Sequence, residues 1–228
     1  MQTKDVFSFL KNCKQGVVFG CEQLGGYEWG GVDVAKIEDA VLSALDHGIK
    51  IFDTADCYGK GLSEERLGAV LSKRRGEAVI ASKYAVKLTS KGVCYDSSPE
   101  WARTSLEGSL KRLNTDYIDH YQMHYWDGET DLDDVVAGLE KFIEEGKIKS
   151  YGFTNVQSLP NHLVGSDHFQ TMSLEFSLAN RTHENAARDF SDSNYCFLAY
   201  GSLGQGILSG KYNKASKFDK ADRRSRKE

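Results

Sequence analysis

Short apolar runs alternate with helical stretches along most of the chain, and this alternation restricts the fold more than any other feature. The runs fall at residues 17–20, 51–53, 78–83, 117–124, 149–155, 169–177 and 196–200. Between them, apolar residues recur at helical spacing: Val34, Ile37, Val41, Ala44 and Leu45, then Leu67, Val70 and Leu71, then Leu106, Leu110 and Leu113, then Val135, Val136, Leu139, Phe142 and Ile143. A short helix is expected at residues 185–190, and another between the fifth and sixth runs, where periodicity is poor. Asp33, Ser63 and the Ser98-Pro99 pair read as helix starts, and Gly48, Gly76 and Gly146 as stops. Strands separated by helices give a parallel sheet with right-handed crossovers. The fold class is therefore α/β, of the (β/α)8 TIM-barrel type, with the eighth βα unit missing from the pattern. Residues 1–212 read as the barrel and 213–228 as a charged loop or tail, in which Arg223, Arg224, Arg226 and Lys227 face solvent.

A chain of 228 residues is the size of one domain with a sizeable core. The net charge of -4 gives no sign of a nucleic-acid partner, and no apolar run is long enough to cross a membrane. The five cysteines, at positions 13, 21, 57, 94 and 196, follow neither a paired nor a metal-ligand spacing, so no metal site is read. The amino terminus lacks a signal-peptide pattern, and scattered cysteines fit reduced thiols in a cytoplasmic protein. A sheet one strand short exposes two edges, which gives a tendency to form a homo-oligomer.

Chemistry-bearing side chains fall at the carboxyl ends of successive runs. Asp53 closes the second, with Tyr58 just beyond it; Lys83 closes the third; His124 closes the fourth. In a barrel these ends open into one mouth. Taken singly, Asp53 reads as a strand-end cap, Tyr58 as a surface tyrosine, Lys83 as a solvated lysine and His124 as a hydrogen-bonded core histidine. Taken together with the motifs around them, they point elsewhere. Those motifs are Gly59-Lys60-Gly61-Leu62-Ser63-Glu64, Asp116-Tyr117-Ile118-Asp119, Gly152-Phe153-Thr154-Asn155, and the blocks at residues 175–181 and 199–212. Over residues 20–212 the chain resembles the aldo-keto reductase family.

The resemblance implies an enzyme that reduces an aldehyde or ketone, a small-molecule carbonyl substrate, with NADPH, or less often NADH. Tyr58 would be the proton donor, a role for which an ordinary phenol is too weak an acid at neutral pH. Lys83, held by Asp53, would lower the Tyr58 pKa, and His124 would orient the carbonyl. The same resemblance places the cofactor without a Rossmann fold. Gly20, Cys21 and Asp53 would border the nicotinamide, Thr154, Asn155 and Ser173 would hold its carboxamide, and Tyr200 would stack on its ring. Gly201, Ser202, Leu203, Gly204 and Gly206 would follow the pyrophosphate. Four aromatics in or near the mouth loops, Tyr27, Trp29, Tyr84 and Trp126, are candidates for the substrate wall, loop packing being as good a reading of each. Two other functions remain open at this point. One is a regulatory subunit that senses a bound nucleotide, the other a lyase, dehydratase or epimerase that reuses the four residues. In the family, the eighth strand and the basic motif that grips the adenosine phosphate follow the region matched here.

Overall fold

The computed structural model describes residues 16–29, 33–156, 159–160, 166–191 and 195–225. Cys13, Arg226, Lys227 and most of the helix expected between the fifth and sixth runs lie outside these residues. In chain order the strands are β1 (Phe19–Gly20), β2 (Ile51–Asp53), β3 (Val79–Tyr84), β4 (Val86–Thr89), β5 (Gly92–Tyr95), β6 (His120–Met123), β7 (Tyr151–Thr154), β8 (Phe169–Glu175) and β9 (Cys196–Tyr200). The described helices are α1 (Val34–Asp46), α2 (Leu62–Leu71), α3 (Pro99–Leu113), α4 (Leu132–Glu144) and α5 (Glu184–Ser191). Seven strands form one parallel sheet in the order β1-β2-β3-β6-β7-β8-β9, so sequential βα units lie side by side, as in a TIM barrel. β1 and β9 end the sheet, and an eighth strand is not among the described residues. The antiparallel hairpin β4–β5 was not expected from the sequence: its strands are four residues each and mostly exposed, and the brief apolar–polar alternation of Val86-Lys87-Leu88-Thr89 went unread. Among the described residues no helix is long and apolar enough to cross a membrane.

Several helix signals act as their chemistry dictates. The Asp33 carboxylate accepts the Lys36 amide at the start of α1, and the Ser98 hydroxyl accepts the Trp101 amide at the start of α3, with Pro99 in the first turn. Two signals read otherwise. The N-cap of α2 is Gly61, and Ser63 lies one residue inside that helix, where its buried hydroxyl serves a tertiary contact. Gly76 lies in a short 3-10 turn beyond the end of α2, so it does not stop that helix.

Strand residues alternate between two environments. Tyr84, Tyr121, Met123, Phe153 and Met172 are fully buried in one apolar cluster with Leu67 and Leu71 of α2, Leu106 of α3 and Leu139 and Phe142 of α4. The intervening residues are polar and bond across the sheet. His120 contacts the Ser150 hydroxyl at 2.8 Å through Nδ1 and the Thr171 hydroxyl at 2.7 Å through Nε2. Burial pushes the His120 pKa down to about 3, so the ring is neutral and uses one nitrogen as donor and the other as acceptor.

Gly152 makes this polar layer possible. A Cβ there would lie 2.1 Å from Thr171 Oγ1, 2.6 Å from the Thr171 carbonyl oxygen and 3.0 Å from His120 Nε2. Gly152→Ala is expected to destabilise the fold by roughly 1–3 kcal/mol, the usual range for overpacking a tight interior. Denaturant melts of the two proteins test this, and coincident midpoints would show that β7 and β8 separate without cost.

Residues 213–225 contain one short 3-10 turn, Arg223–Ser225, and no longer helix or strand. The solvated state expected for the arginines there is corrected by the structure. The Arg223 guanidinium bonds the Glu22 and Glu28 carboxylates and lies 4.8 Å from the Trp29 ring. Arg224 pairs with Asp222, donates to the Tyr212 hydroxyl and lies 4.4 Å from the Phe218 ring. With Trp29 and Asp222 joined as an antiparallel bridge, the segment folds back over the loop that follows β1.

Candidate active site

The sheet brings all four expected catalytic residues together. Asp53 is the last residue of β2, and Lys83 is the penultimate residue of β3. The Lys83 side chain is almost wholly buried, and its ammonium donates to Asp53 Oδ1 at 2.5 Å, to the Thr54 carbonyl at 2.8 Å and to the Tyr58 hydroxyl at 3.3 Å. Gln122 Nε2 donates to the other Asp53 oxygen at 3.3 Å. His124 follows β6, and its ring meets the Tyr58 ring edge-on at 5.7 Å.

Local sequence sets the position of Tyr58. The chain turns through Gly59, Lys60 and Gly61, all at positive φ. Gly59 also packs backbone to backbone on Gly25, where a Cβ would come within 2.4 Å of the Gly25 carbonyl oxygen. Only glycine satisfies both demands at position 59. The Ser63 hydroxyl then donates to the Cys21 carbonyl at 2.7 Å and meets the Thr54 hydroxyl at 2.8 Å, tying the ends of β1 and β2 to α2. The buried Glu64 carboxylate accepts from Ser82 and from Arg112, which locks α2 to β3 and α3.

Burial dominates the site's electrostatics. It pushes the Tyr58 hydroxyl above the ordinary phenol range; the Lys83 ammonium pulls in the opposite direction, and Asp53 and Glu22 add to the rise. Lys83 therefore acts with the sign the sequence implied, and burial outweighs it in the free protein. Burial also opposes the Lys83 charge, yet Asp53 and Tyr58 together hold its pKa above that of an ordinary lysine. Burial, followed by the Lys83 charge, holds the His124 imidazole well below its usual range and keeps it neutral.

The remaining candidates divide. Cys21 is fully buried, its amide donates to the Asp53 carbonyl at 2.8 Å, and burial keeps its thiol protonated. A Cβ built on Gly20 would meet nothing within 4 Å, so the β1 end is open. Thr154 and Ser173 are buried, and each hydroxyl donates to Gln122 Oε1 at 3.3 Å. Asn155 donates to the His124 carbonyl at 3.0 Å and accepts from the Tyr200 hydroxyl at 2.6 Å. The turn containing Gly201, Ser202, Leu203, Gly204 and Gly206 is largely exposed, and the amides of Ser202, Leu203 and Gln205 make no hydrogen bond to the described residues. Tyr27 and Trp126 are exposed, whereas Trp29 is held by the folded-back segment. Tyr84 is corrected from the substrate wall to the core: it is fully buried and stacks on Tyr121 at 5.3 Å. Lys83 and Tyr84 are neighbours in one strand, so if one faces the mouth the other faces the helices.

Four residues in or near the site went unread in the sequence. Gln122 bridges Asp53, Thr154 and Ser173, and the signal for it was the polar alternation His120, Gln122, His124. Tyr125 stacks on His124 at 5.2 Å, and Tyr95 of the hairpin stacks on Tyr125 at 4.8 Å. Asp56 is half-buried between the mouth loop and α3; it accepts from the Ser105 hydroxyl at 2.6 Å, and its second oxygen, itself out of solvent, has no hydrogen-bond partner among the described residues.

Sequence and fold together place the chain among known proteins. Residues 16–228 match the sequence model of the Aldo/keto reductase family, and the chain belongs to that family. It is 30% identical over 211 residues to the aldo-keto reductase YhdN of Bacillus subtilis (strain 168), a match covering 90% of this chain and 63% of YhdN. The glycerol dehydrogenase AKR11B4 from Gluconobacter oxydans superposes with a TM-score of 0.78 at 32% identity, over 91% of this chain and 66% of that one. An aldo-keto reductase from Klebsiella pneumoniae, solved in complex with NADP and acetate, superposes with a TM-score of 0.67 at 26% identity, over 85% and 66% of the two chains. The chain thus spans 63% of the length of YhdN.

Burial pushes the Asp56 pKa up from 3.8 to about 7; the Ser105 hydrogen bond opposes this and Glu64 adds to it. Between about pH 4 and pH 7 the folded chain holds a proton that the unfolded chain has released, so stability falls as pH rises through this window. Asp56→Asn removes that dependence. Urea melts are expected to show the variant gaining on the parent from pH 5 to pH 8, by at most about 2.7 kcal/mol, since about two pKa units at 1.36 kcal/mol each lie between pH 5 and the folded-state pKa. A difference that stays constant across the window contradicts the assignment.

Proposed function

We propose that the chain carries the reaction centre of a nicotinamide-dependent reductase that converts an aldehyde or ketone to an alcohol. The observation that carries this reading is the Lys83 ammonium, 2.5 Å from Asp53 Oδ1 and 3.3 Å from the Tyr58 hydroxyl, with neutral His124 beside it.

The residues present fit NADP(H), with NAD(H) as the alternative nucleotide. Three amides on a glycine-rich turn beyond β9, which bond to none of the described residues, suit a pyrophosphate. Tyr200 offers a part-exposed ring, and one hydrogen of the Asn155 amide nitrogen is left over after its bond to the His124 carbonyl. The Thr154 and Ser173 hydroxyls serve Gln122, so in this reading they position the layer beneath the nucleotide and Asn155 makes the carboxamide contact. Bound nicotinamide supplies the hydride.

The protein's own part is proton delivery and orientation. Nε2 of His124 bonds to none of the described residues and is the donor for the carbonyl oxygen. As charge develops on that oxygen, Tyr58 gives up its proton, and the Lys83 ammonium stabilises the phenolate left behind. Asp53 keeps Lys83 charged and in register. In the oxidative direction the Tyr58 phenolate takes the proton back. Burial, which raises the Tyr58 pKa in the free protein, makes the Lys83 charge matter more, because fewer dipoles screen it. The exposed Trp126 and the stacked Tyr95 and Tyr125 favour an apolar or ring-bearing substrate.

Tyr58→Phe keeps the ring and removes the transferable proton. Reduction of a reactive aldehyde, followed in a single turnover as NADPH absorbance, is expected to slow by about 10²-fold or more. A rate within a few-fold of the parent removes Tyr58 from the reaction.

A further inference from the structure

A neutral imidazole carries its proton on one nitrogen only, and the partner of the other nitrogen decides which. For His124 this choice matters, because only an N–H, and not a lone pair, can donate to a carbonyl oxygen. Its backbone is held independently of the ring: the His124 amide donates to the Tyr84 carbonyl at 2.9 Å, and its carbonyl accepts from Asn155. The ring faces are packed, by Tyr125 in a stack and by Tyr58 edge-on. Among the described residues Nδ1 has one hydrogen-bond partner, the Cys57 Sγ at 3.8 Å, and Nε2 has none.

We infer that Cys57 is a positioning residue, whose thiol donates to Nδ1 of His124 and so fixes the neutral imidazole with its proton on Nε2. The thiol is suited to this. Burial, with a further push from Asp56, raises its pKa to about 12, so the S–H is present throughout the neutral range. His124 is its one side-chain partner, and the thiol makes no hydrogen bond to any other side chain among the described residues. The reverse arrangement would set Nδ1–H against sulfur, a weak acceptor, and would turn a lone pair of Nε2 outward. No bond is made or broken in this role. The catalytic consequence rests on the reductase reading above, whereas the tautomer itself does not.

The test uses the 228-residue chain labelled with ¹⁵N at histidine, with His124 assigned by the signals lost in His124→Gln. Long-range ¹H–¹⁵N correlations at pH 7 report the tautomer directly. The expected parent pattern is a protonated Nε2 and an unprotonated Nδ1. Cys57→Ser, which keeps a donor, is expected to retain that pattern. Cys57→Val, which has similar bulk and no donor, is expected to move towards the Nδ1–H form. A parent with Nδ1–H, a charged ring, or a valine variant with the parent pattern overturns the inference, and the parent spectrum decides even if a variant fails to fold. Turnover gives the second readout. Cys57→Val should lower kcat about tenfold with KM near the parent value, the fold-change for loss of one hydrogen bond of about 1.4 kcal/mol, and Cys57→Ser should restore it. A shifted tautomer with parent kcat overturns the catalytic role of Cys57. A parent that shows the tautomer yet turns over no carbonyl overturns the reductase reading and leaves the tautomer assignment standing.

Discussion

A lysine ammonium buried against one carboxylate is the constraint on which the rest of the mouth depends. An unpaired charge at that depth would cost several kcal/mol, so Lys83 must find its partners whenever the chain is folded. Those partners come from different places: the Asp53 carboxylate from the end of β2, the Thr54 carbonyl from the residue after it, and the Tyr58 hydroxyl from the loop beyond. The β2–β3 register, with Asp53 opposite Ala81, places Lys83 two residues further along β3, at the level of that loop. The loop is held in turn by the close packing of Gly59 on Gly25 and by the Ser63 hydroxyl on Cys21. The ion pair thus depends on the register and the turn, and Tyr58 is in place because the ion pair is.

A second polar tier supports the first. Gln122 donates to Asp53 and accepts from Thr154 and Ser173, so β6, β7 and β8 all bear on the position of one carboxylate. His120, Ser150 and Thr171 form the tier adjoining it along the strands. Polar interiors of this kind specify a unique arrangement when their donors find acceptors, as the side chains of Gln122, Thr154, Ser173, His120, Ser150 and Thr171 do here. The helices meanwhile pack on the other face of the strands through leucine and phenylalanine, and supply the apolar burial that the polar interior does not.

Much of this was legible in the sequence, and the exceptions have physical causes. The strand–helix alternation was readable because each βα unit carries its own period, and the four polar residues were readable because they end successive apolar runs. Tyr84 was misplaced because the third run was ended at Lys83 and Tyr84 was read as loop; β3 continues through Tyr84, and strand parity puts it on the face opposite Lys83. Gln122 was missed for a related reason: a strand with apolar residues on its outer face and polar ones on its inner face reads as a simple buried run. The hairpin was missed because its strands are four residues each and mostly exposed, too short for the alternation at residues 86–89 to stand out, and its contribution, Tyr95 on Tyr125, is a contact made through folding. Arg223 looked solvated because its carboxylate partners lie 195 and 201 positions earlier in the chain, and no local pattern pairs residues at that distance. Cys57 stands beside Tyr58 in the sequence, but nothing local reveals that it faces His124, 67 positions away.

In the proposed reaction this mouth reduces a carbonyl by combining a hydride with the Tyr58 proton. It is tested most directly by isotope transfer. The chain is incubated with a small aldehyde and NADPH deuterated at the reactive carbon of the nicotinamide, each face of the ring labelled in turn. The alcohol is then examined by mass spectrometry and NMR. The expected result is one deuterium on the former carbonyl carbon from one labelled face and none from the other. An alcohol without deuterium from either face, or an aldehyde recovered unchanged beside intact nucleotide, would contradict the account.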